Sequence, residues 1–137
     1  MKRKLYFLVT FILAVLCFAT CFIGCKQNKP LSGDYVIIVA NDVEDCETVI
    51  DYMKKLRADG KLSFESETGT YGEYITSING KEQAGNSYWM LYTSDLDYAS
   101  TSYTVTYEGR DYGQAITGAS SLPVKEGETY IWFYESY

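Results

Sequence analysis

The spacing of apolar and polar residues changes along the chain, and each change predicts a different element. The run Tyr35–Ala40 is apolar and β-branched on both faces, which is typical of a buried, central strand. From about Asp45 to Ala58 the apolar residues recur every three or four positions, which predicts one amphipathic helix. Acidic residues precede this helix, basic residues end it and Gly60 follows it, as the helix dipole and the preference of glycine for helix ends both favour.

The remainder of the chain has the pattern of short strands separated by glycine-containing turns. Asn79-Gly80 predicts a tight hairpin turn, and Gly109–Gly118 shows no regular pattern. One strand, one helix and then four or five strands predict an α+β fold, with the amphipathic helix packed on a mostly antiparallel, mixed sheet. The predicted strands after the helix are Leu62–Ser66, Glu73–Ile78, Ser87–Thr93, Thr101–Tyr107 and Thr129–Tyr134.

The first 25 residues have the composition of a secretory signal peptide. A basic stretch at Lys2–Lys4 precedes the uncharged apolar run Leu5–Ile23, and Gly24-Cys25 follows it. This last pair resembles the lipobox of bacterial lipoproteins, which implies that Cys25 is acylated and becomes the first residue of the mature protein. An uncleaved membrane-spanning helix and a released protein are the alternatives. We therefore expect a protein lipid-anchored to the extracytoplasmic face of the bacterial cell membrane.

This assignment divides the chain into a lipoprotein signal peptide at 1–25, a tether at 26–34 and a single domain at 35–137. The tether prediction rests on the polar composition of Lys26–Asp34, with one proline and one glycine. After residue 25 the chain has nine Lys and Arg against eighteen Asp and Glu. Such an acidic surface repels phosphate backbones, so we expect no nucleic-acid partner.

Residues that carry chemistry are scarce after residue 25. The chain has no histidine, and Cys46 is the only cysteine of the predicted domain, which excludes an internal disulfide and a cysteine-based zinc site. Its place on the apolar stripe of the predicted helix favours a buried, unreactive thiol. Asp95 and Asp97 lack the other ligands of an EF-hand, which favours a solvated turn over a Ca²⁺ site. We expect no catalysis, no bound metal and no cofactor.

Aromatic residues concentrate at Tyr88–Tyr92. Strand alternation sends Trp89 and Leu91 to one face and Tyr88, Met90 and Tyr92 to the other, so one set is expected to be core. A second interpretation is that aromatics beside a glycine-containing loop form a stacking platform for a flat or sugar-like ligand, or a hot spot for a partner. The sequence leaves both interpretations open.

Four ordered stretches carry a resemblance to a known family: Ile75–Gly80, Tyr88–Tyr92, Gly118–Ser120 and Val124–Tyr134. They resemble the C-terminal domain of transcobalamin and intrinsic factor and a related bacterial domain family of unknown function. The resemblance covers Tyr35–Tyr137 and implies a β-grasp-like fold whose matching segments lie against a corrin ring. It makes cobalamin or a related corrinoid a candidate ligand. The ligand-binding residues that it implies are Ser77, Ile78, Asn79, Tyr88, Trp89 and Leu91.

Together these features predict a binding module that recognises a small ligand or a protein partner through the Tyr88–Tyr92 strand and the adjacent loop. The alternative is a cell-surface adaptor or structural protein that docks on another protein or on a cell-wall polymer. A ligand module predicts a concave pocket lined by Trp89 or Tyr88 and closed by the Lys81–Asn86 loop. An adaptor predicts a flat exposed apolar patch or an open sheet edge.

Overall fold

The computed structural model describes residues 27–137, so Cys25 and the predicted signal peptide lie outside the described residues. Within that range strands hold 50% of the residues and the helix 9%. In chain order the elements are β1 (Gln27–Pro30), β2 (Tyr35–Val39), α1 (Val49–Ala58), β3 (Phe64–Gly69), β4 (Gly72–Ile78), β5 (Lys81–Glu82), β6 (Ser87–Thr93), β7 (Ala99–Tyr107), β8 (Arg110–Ala115) and β9 (Thr129–Ser136).

The fold is mostly β, with a curled six-stranded mixed sheet and a small three-stranded sheet. The larger sheet has the spatial order β1-β7-β8-β6-β9-β2, and the smaller has the order β3-β4-β5. In the larger sheet β1 runs parallel to β7, and the other described neighbours pair antiparallel. The prediction of an α+β, β-grasp-like fold with one amphipathic helix packed on the sheet is therefore wrong.

The first cause of this error is the length of the helix. The helix begins after Thr48, whose side chain and that of Asp51 form a reciprocal capping box with each other's backbone N–H groups. Asp42 and Asp45 have left-handed backbones, with φ of 57° and 65°, so the chain cannot be helical there. The helix therefore loses its predicted first turn, and Cys46 lies in the loop before it.

The second cause is three strands that the hydrophobic pattern does not show: β1, β8 and the two-residue β5, which lies in the predicted loop Lys81–Asn86. Gln27–Pro30, within the predicted tether, forms β1 and pairs with Tyr103–Thr106 of β7. The stretch predicted to be irregular contains β8, which a turn at Glu108-Gly109 joins to β7 with φ of 48° and 75°. Both turn residues are left-handed, as a tight hairpin requires, but Glu108 is not a residue that marks such turns in a sequence.

Two clusters of buried residues lie on different faces of the larger sheet. The larger cluster joins residues of the helix and of both sheets, including Met53, Ile78, Trp89 and Tyr130. The smaller cluster contains Tyr92, Val105, Tyr112, Ile131 and Phe133. The strand β2 was predicted to be central, but it forms one edge of the sheet and leaves Tyr35 and Val39 exposed.

Candidate functional site

A cleft of about 300 Å³ lies between the two sheets, and we call it the inter-sheet cleft. Its walls are Glu73–Ile75 of β4, Trp89–Leu91 of β6, the segment Gln114–Ala119 and Trp132 of β9. Each of the four stretches that carry the family resemblance contributes at least one residue to these walls. The cleft therefore gathers in space residues that are up to 59 positions apart in the chain.

Backbone hydrogen bonds hold the segment Gln114–Ala119 in place. The N–H of Ile116 donates to the carbonyl of Tyr98 at 2.9 Å, and the carbonyl of Ala119 accepts from the N–H of Ile50 at 3.1 Å. Next to it, the Ser120 hydroxyl accepts from the N–H of Glu73 at 2.8 Å and so ties this segment to the small sheet. The cleft is thus pre-formed, and Ile116 is 68% exposed at its rim.

Trp132 brings an unpaired hydrogen-bond donor to the cleft. Its indole Nε1 is buried and has no hydrogen-bond partner among the described residues. The carboxylate oxygen Asp95 Oδ2, which is also buried, lies 2.7 Å from the Lys125 ammonium and is satisfied by that ion pair. An unpaired buried donor costs about 1–3 kcal/mol. The indole N–H of Trp132 is therefore an unexplained buried donor, among the described residues, on a side chain that lines the cleft.

The predicted site residues Trp89 and Leu91 do line the inter-sheet cleft, as buried parts of its wall. Trp89 is 5% and Leu91 is 7% exposed. The Trp89 indole donates to the carbonyl of Lys81 at 2.8 Å, and its ring meets Tyr134 edge to face with centroids 5.2 Å apart. Trp89 thus joins β6 to β5 of the small sheet, and its aromatic face is wall rather than an open platform.

The predicted site residues Ser77, Ile78 and Asn79 lie outside the cleft. Ser77 and Ile78 are 4% and 1% exposed, and Ile78 belongs to the larger buried cluster. Asn79 has φ of 49° in the turn before β5, and its side-chain Oδ1 accepts from the N–H of Ser63 at 3.1 Å. The Asn79-Gly80 turn is confirmed, and the contacts of Asn79 position the start of the small sheet.

Tyr88 is 38% exposed but does not line the inter-sheet cleft. The loop Lys81–Asn86 is also absent from its walls, and the segment Gln114–Ala119 stands where that loop was expected. Sequence reasoning missed Tyr74, Ile116 and Trp132 as cleft residues. The motif Gly118–Ser120 was an available signal, because its residues Gly118 and Ala119 line the cleft.

The charged residue in the wall of the cleft, Glu73, has both an ion-pair partner and a hydrogen-bond partner. The Glu73 carboxylate binds the Lys54 ammonium and also accepts from the Ser66 hydroxyl at 2.8 Å. These hydrogen bonds, the one from Lys54 foremost, lower the pKa of Glu73 below its usual value. Glu73 is therefore charged and paired at neutral pH.

The sequence analysis also considered Asp95, Asp97 and Cys46 as candidate sites, and the structure gives each of them a structural role. Asp95 and Asp97 both bind the Lys125 ammonium, at 2.7 and 3.3 Å. The solvated turn favoured by the sequence describes Asp97, which is exposed, but not Asp95, which is buried. Burial raises the pKa of the Cys46 thiol, which keeps it protonated at neutral pH. Among the described residues no three His, Cys, Asp or Glu side chains are grouped so that they could hold a metal ion.

Comparison with known proteins gives no identification. No family model matches the chain, and no curated protein matches it. The resemblance to the transcobalamin family therefore stays a prediction. Within residues 27–137 no helix has the length and apolar character needed to cross a bilayer.

Proposed function

We propose that this protein is a lipid-anchored, extracytoplasmic module that binds a small ligand in the inter-sheet cleft and does not catalyse a reaction. The observation that carries the proposal is a pre-formed, mostly apolar cleft whose wall includes Trp132, a residue whose buried indole N–H is unpaired among the described residues. Few polar groups at fixed positions in an apolar pocket are typical of ligand sites, where they set orientation and specificity.

The walls favour a flat, largely apolar ring that carries a hydrogen-bond acceptor. Ile75, Trp89 and Leu91 offer apolar surface, and the Trp132 indole offers a donor. The volume of about 300 Å³ lies at the small end of ligand pockets, which suits one or two fused rings. A corrinoid, which is much larger, would place only an edge in the cleft and would leave most of its surface outside.

Anchoring and the lack of catalysis rest on local chemistry. The predicted acylation of Cys25 would keep the cleft outside the cytoplasm, within reach of ligands that arrive from the medium. The carboxylate at the wall of the cleft, Glu73, is bound by Lys54 and Ser66 and has a lowered pKa. Such a group is a poor general base at neutral pH, which supports binding without chemistry.

The two tryptophans make a direct test available, because each indole N–H gives its own nuclear magnetic resonance signal. The protein beginning at Lys26 would be titrated with quinoline, with naphthalene and with cobalamin. Quinoline and naphthalene share their shape, but only quinoline has an acceptor nitrogen. We expect quinoline to shift the Trp132 indole signal saturably and more strongly than naphthalene does. The Trp89 signal should move less, since that N–H already binds the carbonyl of Lys81.

Variants assign the signals and control the experiment. Trp132→Phe removes the donor, and Trp89→Phe identifies the second signal. Ile116→Ala shortens an apolar side chain at the rim of the cleft and should weaken the quinoline response. Leu96→Ala is its matched surface control, because Leu96 is 88% exposed and lies outside the cleft. If none of the three probes shifts the Trp132 indole signal, the small-ligand proposal fails.

An adaptor role is the second candidate, and one observation favours it. Strand β2 is an open edge of the larger sheet, with Tyr35 and Val39 exposed. A groove of about 200 Å³ runs beside it, lined by Val36–Val39 together with Leu56, Lys61 and Leu62. An extended segment of a partner could add to this edge as a further strand. Replacing Ile37 by proline would remove a backbone donor there and should abolish such docking while leaving the inter-sheet cleft intact.

A further inference from the structure

A second cleft, of about 350 Å³, lies on the other face of the larger sheet. We call it the Glu135 cleft. Glu135 lies two residues from Phe133 and four from Ile131 on β9, so these three side chains share one face, and Trp132 points to the other. The lining residues are Lys29, Tyr92, Tyr103, Thr104, Gln114, Glu135, Ser136 and Tyr137.

A buried carboxylate forms the floor of this cleft. Glu135 is 6% exposed, and removing a carboxylate from water is costly unless several donors compensate. Three side chains supply donors: the Lys29 ammonium at 3.2 Å, the Tyr92 hydroxyl at 2.8 Å and the Tyr137 hydroxyl at 3.3 Å. The Glu135 carboxylate is thereby held in one place, with its charge balanced by Lys29.

Two exposed tyrosines form the rim. Tyr103 is 55% exposed and Tyr137 is 73% exposed, and both line the cleft whose floor is Glu135. Tyrosine offers a flat apolar face and a polar tip, and it loses little conformational entropy when a ligand covers it. The side chains of Gln114 and Ser136 add a donor and acceptors between rim and floor.

From this arrangement we infer that the Glu135 cleft is a binding site for a neutral saccharide. A sugar ring has a C–H face that packs on an aromatic side chain and hydroxyl groups that both donate and accept. The cleft offers both partners: the Tyr103 and Tyr137 rings at the rim, and the Glu135 carboxylate and Gln114 amide inside. This inference concerns a separate cavity and does not rest on the inter-sheet cleft.

The charges of Glu135 and Lys29 in the cleft favour a neutral ligand. A cationic ligand would have to displace the Lys29 ammonium from Glu135, which would cost an existing ion pair. An anionic ligand would meet the Glu135 carboxylate and the excess of acidic residues on the chain. Hydroxyl groups can join the hydrogen-bond network of Glu135 without breaking the pair that neutralises it.

The test is saturation-transfer nuclear magnetic resonance on the full chain, purified in a zwitterionic detergent that has no sugar headgroup. The probes are glucose, N-acetylglucosamine, maltotriose and chitotriose at millimolar concentrations. We expect saturable transfer to the ring protons of at least one probe. Tyr103→Ala and Tyr137→Ala should each weaken its binding about tenfold, because each substitution removes an aromatic face on which the sugar ring packs.

Tyr71→Ala is the matched control, because Tyr71 is 93% exposed at the turn between β3 and β4 and lies outside the Glu135 cleft. It should bind the probe as the unchanged protein does. Glu135→Gln keeps the shape of the side chain and should also weaken binding, with folding checked by circular dichroism. Absence of transfer to all four probes would overturn the inference. So would transfer that survives both rim substitutions but is lost in Trp132→Phe, since that result would place the sugar in the inter-sheet cleft.

Discussion

The two clefts lie on different faces of one sheet, and they differ in whether their buried polar group has hydrogen-bond partners. In the inter-sheet cleft the walls are mostly apolar, and the buried donor of Trp132 has no partner in the part of the chain that the structure describes. In the Glu135 cleft the buried carboxylate has three donors, and the rim is made of exposed tyrosines. An unpaired donor favours a ligand that brings one acceptor, whereas a completed network favours a ligand rich in hydroxyl groups.

Alternation along β9 produces this difference. Trp132 and Tyr134 point to the larger core, and Phe133 and Glu135 point to the smaller one. A strand buried on both faces can therefore furnish two chemically different surfaces from consecutive residues. The many aromatic residues of this chain therefore have two roles. Some are buried parts of the wall of the inter-sheet cleft, and others form the exposed rim of the Glu135 cleft.

Gly113→Ala should have the largest effect, because Gly113 precedes Gln114, a residue that lines both clefts. A Cβ at Gly113 would lie 2.3 Å from the carbonyl oxygen of Ser100 and 2.7 Å from the Cβ of Ala99, where β7 bulges over β8. The backbone must move, and we expect the free energy of unfolding in urea to fall by about 3 kcal/mol.

Gly118→Ala is the matched control for this substitution. A Cβ at Gly118 would meet no atom within 4 Å, and its backbone is not left-handed. The stability of this variant should therefore stay close to that of the unchanged protein. If Gly113→Ala is as stable as Gly118→Ala and the unchanged protein, the bulge of β7 yields without cost, and the shared support of the clefts is disproved.

Tyr92→Phe tests the network of the Glu135 cleft alone. The Tyr92 hydroxyl is buried and donates to the Glu135 carboxylate at 2.8 Å, and a hydrogen bond to a charged group contributes about 1.5–3 kcal/mol. We expect a loss of about 2 kcal/mol in the free energy of unfolding, measured by urea titration at pH 7. The quinoline response of the Trp132 indole should not change.

Tyr71→Phe is the control for the loss of a tyrosine hydroxyl at an exposed position, and its stability should change by less than about 0.5 kcal/mol. If Tyr92→Phe costs no more than this control, then Lys29 and Tyr137 hold Glu135 unaided. The Tyr92 hydroxyl would then contribute nothing to the floor of the Glu135 cleft.

Asn79→Ala separates the site implied by the family resemblance from the cleft seen in the structure. This change removes the acceptor for the N–H of Ser63 and puts a less tolerant residue at φ of 49°, so we expect a loss of about 1 kcal/mol. Asn79→Gly, which also lacks the acceptor but tolerates this backbone, should lose less. Ligand binding should be unchanged in both variants. If either variant loses the shift of the Trp132 indole signal with quinoline, Asn79 belongs to the binding site after all.

The sequence was informative where local chemistry decides the structure. The strand Glu73–Ile78, the turn Asn79-Gly80 and the helix near Val49–Ala58 follow from alternation, turn residues and helical periodicity. It also pointed to Trp89 and Leu91, which do line a cleft. These are features that a few neighbouring residues determine.

The sequence was uninformative where distant pairing decides the structure. Strand β1 exists because it pairs with β7, which lies more than 70 residues later in the chain, and its composition resembles that of a linker. Trp132 was predicted as part of an aromatic strand, but its unpaired N–H depends on β4, β6 and the segment Gln114–Ala119 meeting around it. No pattern within a short stretch of sequence shows that these distant segments come together.

Glu73→Gln should have the smallest effect, and it tests the charged wall of the inter-sheet cleft by its pH dependence. Because hydrogen bonds from Lys54 and Ser66 lower the pKa of folded Glu73, its contribution is present above the unfolded value, about 4.3, and is lost as the pH falls through the folded value. Both side chains of the pair are partly exposed, so the loss at pH 7 should stay below about 1 kcal/mol. Thermal unfolding from pH 7 downward should show the two proteins converging in acid, with the exposed substitution Glu126→Gln as control. A difference that persists unchanged in acid would show that the side chain acts through packing, and the wall of the inter-sheet cleft would then owe nothing to its charge.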